Sequence, residues 1–189
     1  MTAAPTLAVD APETLYRGCD RAQTIEDWWI YPEDGNRYEF VDGVFVVMAP
    51  PALRHQRALG KLHYALEGFA RAHGGFAGVS SIGVALPTGQ GFQPDVLYIR
   101  PDNEHVLSER GIEGVPDLVV EVASPSTRRY DRRTKVPAYL GAGVEEVWIV
   151  DLDARTTEVR RADGVTVSVF GERIRSQVVD VGDGGLGAL

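Results

Sequence analysis

The sequence predicts a mixed α/β fold, a mixed central β-sheet with helices flanking its faces. Three observations carry that prediction: an early hairpin signal, a long amphipathic helix after it, and apolar strand runs separated by a second helical stretch. The hairpin is "YEFVDGVFVVM", where Asp42-Gly43 lies between two β-rich runs and suits a type I′ turn. The helix follows "PPALRHQ". Leu59, Leu62, Leu66 and Phe69 recur at three- and four-residue spacing as its buried stripe, and Gly74-Gly75 end it about five turns on.

Strands are expected at 76–86, 94–99 and 117–123. The stretch "SPSTRRYDRRTKVPAYLGAG" reads as the second helix, capped by Ser124, Ser126 or Thr127 and ended by Gly141 or Gly143. Pro137 either kinks it or begins it, because proline has no N–H to donate. "EEVWIVDLDARTTEVRR" reads as strand, turn and strand, and "GVTVSVFG" and "RSQVV" add two more strands. Ahead of the hairpin, Thr24 and Asp27 have capping-box spacing, so a short helix anchored by Trp28 and Trp29 is expected there.

A chain of 189 residues, 44% hydrophobic, supports one compact domain. It is expected to span 21–180, after a disordered lead over 1–20 and before a loose glycine-rich tail over 181–189. No apolar run reaches membrane-span length, and "MTAAPTLAVDAPE" lacks the pattern of a secretory signal. Cys19 is the single cysteine, which leaves no internal disulfide. A cytoplasmic location is the expectation. The net charge of −8 counts against a broad nonspecific nucleic-acid face, although a local basic patch remains compatible with it.

Several motifs fail on context. "GDGGLG" at 182–187 has no room for a following helix, so it is not a dinucleotide loop. "GVSSIG" has Ile82 where a nucleophile elbow needs glycine. The four histidines show no H-E-x-x-H spacing, and one cysteine builds no zinc cluster.

What remains is a set of charged groups in places that disfavour them. Glu121 stands inside "VPDLVVEVAS", a run that reads as a strand covered on both faces. A buried carboxylate without a partner costs several kcal/mol. Asp95, in "QPDVLYI", shares a strand face with Leu97 and Ile99, and Glu39 sits on the hairpin in "YEFVDG". Of 19 Lys and Arg residues only Lys61 and Lys135 are lysines, and Lys135 follows on the second helix. A hard cation such as Mg²⁺ between neighbouring carboxylates would relieve their repulsion. Two plainer readings stand beside this one. Glu121 could form a structural ion pair with an arginine, and Lys135 could be the surface partner of Asp131, four residues earlier. His55, four residues before Leu59, faces inward and is either a core histidine or a group that reaches a carboxylate or substrate. Arg128 and Arg132 belong to a basic run, 128–135, that could contact phosphates or simply be a solvated face.

The ordered pieces "YEFVDG", "PALRHQ", "QPDVLYI", "PDLVVEVASPST", "DRRTKVPAYLGAGV" and "EEVWIVD" resemble the PD-(D/E)XK nuclease superfamily, and within it the Uma2 family of restriction-endonuclease-like proteins. The resemblance implies a restriction-endonuclease-like core and an endonuclease that hydrolyses phosphodiesters in nucleic acid, DNA in the first instance, with Mg²⁺ or Mn²⁺ as cofactor. Position by position it implies Asp95 and Glu121 as metal ligands, Glu39 as an acidic residue binding metal directly or through water, and Lys135 as the catalytic lysine. Ser124, Arg128, Arg132 and His55 fall near the site as candidates for substrate contact or support. One departure stands out. The superfamily places its lysine two residues after the second acid, and that position here is Ala123. Either Lys135 has taken over from the helix, or the chain is a non-cleaving relative acting as a binding or assembly module. Cutting both strands of a duplex calls for two sites, so a homodimer is expected.

Overall fold

In a computed structural model the structure describes residues 15–16, 24–30 and 36–189. The expected disordered lead over 1–20 lies outside the described residues apart from β1 (Leu15–Tyr16). The short helix α1 (Ile25–Trp29) opens on the capping box its sequence implies: Thr24 Oγ1 accepts from the Asp27 amide, and the Asp27 side chain accepts from the Thr24 amide. Trp28 is buried and donates its indole N–H to the Tyr38 carbonyl at 2.8 Å. Its ring lies so close to Gly91 that a β-carbon there would sit 2.6 Å from it.

The hairpin is β2 (Arg37–Val41) and β3 (Val44–Met48), with Asp42 at φ 50° and Gly43 at φ 80°, the left-handed pair that a type I′ turn requires. Helix α2 (Leu53–His73) follows, and Gly74, at φ 85°, ends it. Ala58, Leu59, Leu62, Leu66 and Ala70 form its buried face.

The strands divide between two six-stranded mixed sheets rather than one. The run expected as a single strand over 76–86 is β4 (Phe76–Val79) and β5 (Val84–Ala85), and the two belong to different sheets. One sheet runs β1-β3-β2-β6-β5-β8, with β6 at Gly91–Phe92 and β8 at Ile112–Glu113. The other runs β12-β11-β10-β9-β7-β4 and carries the main core. Its members are β7 (Val96–Ile99), β9 (Leu118–Ala123), β10 (Glu146–Asp151), β11 (Thr156–Arg161) and β12 (Gly164–Val169).

Strands β9 and β10 are parallel, so the chain must cross over between them. The crossover is α3 (Arg128–Tyr130), a π-helical turn (Asp131–Lys135) and α4 (Val136–Ala142). The wide turn lies just ahead of Pro137, which cannot donate to the Arg133 carbonyl and whose ring crowds the preceding turn. Alternation along β9 then sorts the core. Leu118, Val120 and Val122 pack with Leu59, Leu62 and Leu66 of α2. Val119 and Ala123 pack with Tyr130, Val136 and Tyr139 of the crossover. Glu121 has the parity of the second set, so it faces the crossover helix.

Two expectations near the C-terminus are corrected. "RSQVV" forms no strand, because its polar groups serve a buried side chain instead: Ser176 Oγ and the Gln177 amide both donate to Glu146, at 2.7 and 2.6 Å. The glycine-rich segment expected to be loose is packed. It ends in a 3₁₀ turn (Leu186–Ala188) with Leu186 buried in the α2-side core.

Candidate active site

Five ionisable side chains are nearly sealed from solvent on the crossover side of the sheet: Glu39 at 0% exposure, Lys135 at 2%, Glu121 and Asp131 at 3%, and Asp95 at 4%. Four pieces of the fold deliver them. Glu39 comes from β2, Asp95 from the residue before β7, Glu121 from β9, and Asp131 and Lys135 from the two ends of the π-helical turn.

Lys135 is the hub. Its Nζ lies 2.6 Å from Glu121 Oε1 and 2.9 Å from Glu39 Oε1. Tyr139, one turn on along the helix, donates its hydroxyl to the same Glu121 oxygen at 2.9 Å. The partner of Glu121 is therefore a lysine rather than any of the arginines, and Lys135 is buried rather than a surface partner of Asp131. Burial opposes the charge on Lys135, but Glu121, Glu39, Asp131 and Asp95 outweigh it and hold the ammonium above its ordinary range. Burial pushes Glu121 well above the usual carboxylate range. Lys135 opposes this, and Asp95, Asp131 and Glu39 add to it. Asp131 is likewise raised by burial, to about 6, against the pull of Lys135 and a hydrogen bond from Thr127.

Asp95 behaves differently. Burial raises it, yet the net displacement is downward, because His55, Lys135 and the Val122 amide all favour its anion. His55 Nε2 is 3.1 Å from Asp95 Oδ2, and the Val122 N–H donates to that oxygen at 2.8 Å. Arg37 stands 3.8 Å from Asp95 Oδ1. The structure thus brings Asp95, Glu121, Lys135, Glu39 and His55 together. Glu39 Oε2 and His55 Nδ1 are buried with no hydrogen-bond partner among the described residues. The Tyr130 hydroxyl lies near Glu39 without a well-directed hydrogen bond to it.

A cleft of about 280 Å³ opens onto this cluster. Asp95, Glu121, Asp131, Lys135, His55 and Arg37 line it, and Ala123 to Thr127 form one wall. Ser124 lies on that wall, hydrogen-bonded through Oγ to Ser126 and Thr127, each at 3.0 Å. Glu39 is not among the lining residues, since Lys135 lies between it and Glu121. Arg128 and Arg132 are placed elsewhere. Arg128 pairs with Asp151 and Asp153 at 3.1 Å, and Arg132 pairs with Glu158 at 2.7 Å, so both guanidiniums are engaged across β10 and β11. The sequence reading missed Asp131, Tyr139 and Arg37. Tyr139 had a usable signal, four residues after Lys135 and so on the same helix face.

The comparisons with known proteins agree with this architecture. The solved structure of a "putative nuclease belonging to DUF820" from Anabaena variabilis ATCC 29413 superposes with a TM-score of 0.73. The match covers 88% of this chain and 98% of that one at 16% sequence identity, which establishes a shared restriction-endonuclease-like fold. No curated protein matches the chain. The profile of the Uma2 family, described as "Putative restriction endonuclease", matches residues 24–181. With that match spanning most of the chain and carrying every side chain of the cluster, the protein belongs to the Uma2 family.

Proposed function

We propose that the chain is a metal-dependent endonuclease that hydrolyses phosphodiester bonds in nucleic acid, DNA in the first instance. One observation carries the reading. A lysine absent from its usual strand position, where Ala123 stands, is supplied from the crossover helix to within 2.6 Å of Glu121, in a cleft that Asp95 also lines.

The donor set fits Mg²⁺ or Mn²⁺ better than a zinc-type centre. Among the described residues no three His, Cys, Asp or Glu side chains form a ready-made cage. A hard cation needs only one or two carboxylates, with water and substrate oxygens completing its shell. Asp95 and Glu121 would hold it, and four buried carboxyl groups around one lysine leave negative charge for it to balance. Bound there, such a cation would polarise a phosphoryl oxygen and acidify water.

The chain's own groups have distinct tasks. The raised pKa of Lys135 keeps it an ammonium, so it donates hydrogen bonds to the attacking water or to charge developing on the phosphate, and it is not a base. Glu39 positions Lys135. His55 and the Val122 amide orient Asp95 and keep it ionised. Ser124 and its hydroxyl neighbours offer donors to a phosphate along the cleft wall.

The test is cleavage of supercoiled plasmid, linear duplex, single-stranded DNA and RNA in Mg²⁺, Mn²⁺ or EDTA. Cutting is expected with metal alone, to vanish in Glu121→Gln, and to fall on the order of 10²–10³-fold in Lys135→Met. A wild-type protein that cuts none of the four substrates in either metal defeats the proposal. The tight pairing of Lys135 with both Glu121 and Glu39 favours a second reading, a non-cleaving module whose cluster is a closed ion pair. Calorimetry separates it, since a closed cluster takes up no Mn²⁺.

A twofold dimer belongs to the first reading, and β12 is the edge that suits it. It ends its sheet, carries no charged residue, and leaves Val165, Val167 and Val169 at 51%, 58% and 52% exposure. Sedimentation of the intact chain reads this directly, and a monomer at every concentration refutes it.

A further inference from the structure

Beside the cleft lies a smaller recess of about 220 Å³, lined by Arg54, Arg57, Arg155, Leu152, Phe170 and Leu189. Arg54 and Leu152 line both spaces, so the two adjoin. Three guanidiniums around one recess are conspicuous in a chain of net charge −8.

The fold accounts for them only in part. Arg57 and Arg155 are exposed, and neither makes an ion pair among the described residues. Arg54 is shared with Asp153, its Nη1 at 2.8 Å from Oδ1, and Asp153 also takes Arg128. Arg54 and Arg57 sit in the opening turns of α2, whose first turn contains no acid, so their charges face the positive end of a 21-residue helix. Arg155 has φ 55°, a conformation that glycine or asparagine adopts more readily. Its guanidinium lies 5.2 Å from the centroid of the Phe170 ring, a stacking that leaves the N–H fork available in its own plane.

A group that fits is monoanionic, offers paired oxygens to guanidinium forks, and tolerates apolar surface from Leu152, Phe170 and Leu189. A phosphodiester flanked by its sugars meets all three conditions. We propose that Arg54, Arg57 and Arg155 form a subsite for a backbone phosphate of the nucleic acid, away from the scissile bond and next to the cleft. This rests on the nuclease reading, so the test uses binding rather than cutting.

Fluorescence anisotropy with labelled duplex and single-stranded DNA, in EDTA and over a salt series, compares wild type with the double variant Arg57→Gln/Arg155→Gln. Arg71→Gln, at the far end of α2 and paired with Glu67, is the control. The double variant is expected to bind at least about tenfold more weakly, with the slope of log K against log salt reduced by about two, while Arg71→Gln and both melting curves stay at wild-type values. Wild-type affinity and slope in the double variant overturn the subsite, and if wild type still cuts, they overturn it alone. A wild type that neither binds nor cuts overturns the subsite together with the nuclease reading. Calorimetric binding of inorganic phosphate that needs the same arginines, without any binding of DNA, overturns the backbone assignment in favour of a small-anion site.

Discussion

Two buried carboxylate centres sit in the same sheet, and they are built on opposite plans. Glu146, the first residue of β10, has 0% exposure and is fully served. It accepts from Trp148 Nε1 at 3.0 Å, Arg161 Nε at 2.8 Å, Ser176 Oγ at 2.7 Å and the Gln177 amide at 2.6 Å. The cluster around Glu121, on the neighbouring strand and the opposite face of the sheet, has four carboxyl groups for one lysine, a buried oxygen of Glu39 with no hydrogen bond, and an opening to a cleft. Burial is common to both. What separates them is the ratio of donors to acceptors. Glu146 is a closed account of hydrogen bonds that ties β10, β11 and the C-terminal segment together, whereas the cluster is short of positive charge.

The comparison predicts opposite responses to neutralising an acid. The largest effect belongs to Glu146→Gln, which strips the counter-charge from a mostly buried Arg161 and is expected to cost about 3–5 kcal/mol of stability in denaturant unfolding. Any cleavage per folded molecule should survive it. A loss below about 1 kcal/mol would mean that the two centres are not different in kind. Tyr139→Phe is next. It removes one donor from Glu121 Oε1 while Lys135 remains, and about 1–2 kcal/mol is expected by the same measurement.

Asp131→Asn is smallest and has the other sign. Its folded pKa of about 6 lies above its ordinary value, so ionised Asp131 opposes folding. That cost grows as pH rises from about 4 to 6 and is constant above that. Asparagine lacks the cost, so the variant should be more stable than wild type by on the order of 1 kcal/mol at pH 8, with the gain vanishing near pH 4. A variant less stable at pH 8 would place Asp131 among the structural carboxylates with Glu146.

Local chemistry made much of this legible. The Asp42-Gly43 turn, the Thr24–Asp27 capping box, the α2 stripe and the parity of Glu121 all follow from neighbours within a few residues. The scarcity of lysine pointed to Lys135 without any structure. What was hidden depends on partners far along the chain or on an irregular helix. Arg128 and Arg132 look like free positive charge until Asp151, Asp153 and Glu158, about 20 or more residues later, claim them. Asp131 looks like the surface mate of Lys135 because their spacing gives no sign that both are buried, at 3% and 2% exposure, by strands far away in sequence. The apolar run 76–86 reads as one strand, and only the sheet pairing shows that its halves part company at Ser80-Ser81. The basic recess was invisible because Arg54, Arg57 and Arg155 come from two distant segments.

The π-helical turn also sets which kinds of genetic change the site can survive. It threads an additional residue between Tyr130 and Val136, and both of those side chains are anchored in the core. Losing a single codon among Arg132, Arg133 and Thr134 would let the turn relax to regular winding with its flanks nearly as they are, because five residues of the wide turn sweep about the angle that four sweep in an α-helix. The same loss in the regular winding between Lys135 and Tyr139 would turn one flank by about 100° against the other. Lys135 and Tyr139 could then not both reach Glu121. A deletion there would leave a reading frame, a sheet and most of a core intact while dismantling the one arrangement that brings lysine and tyrosine to Glu121.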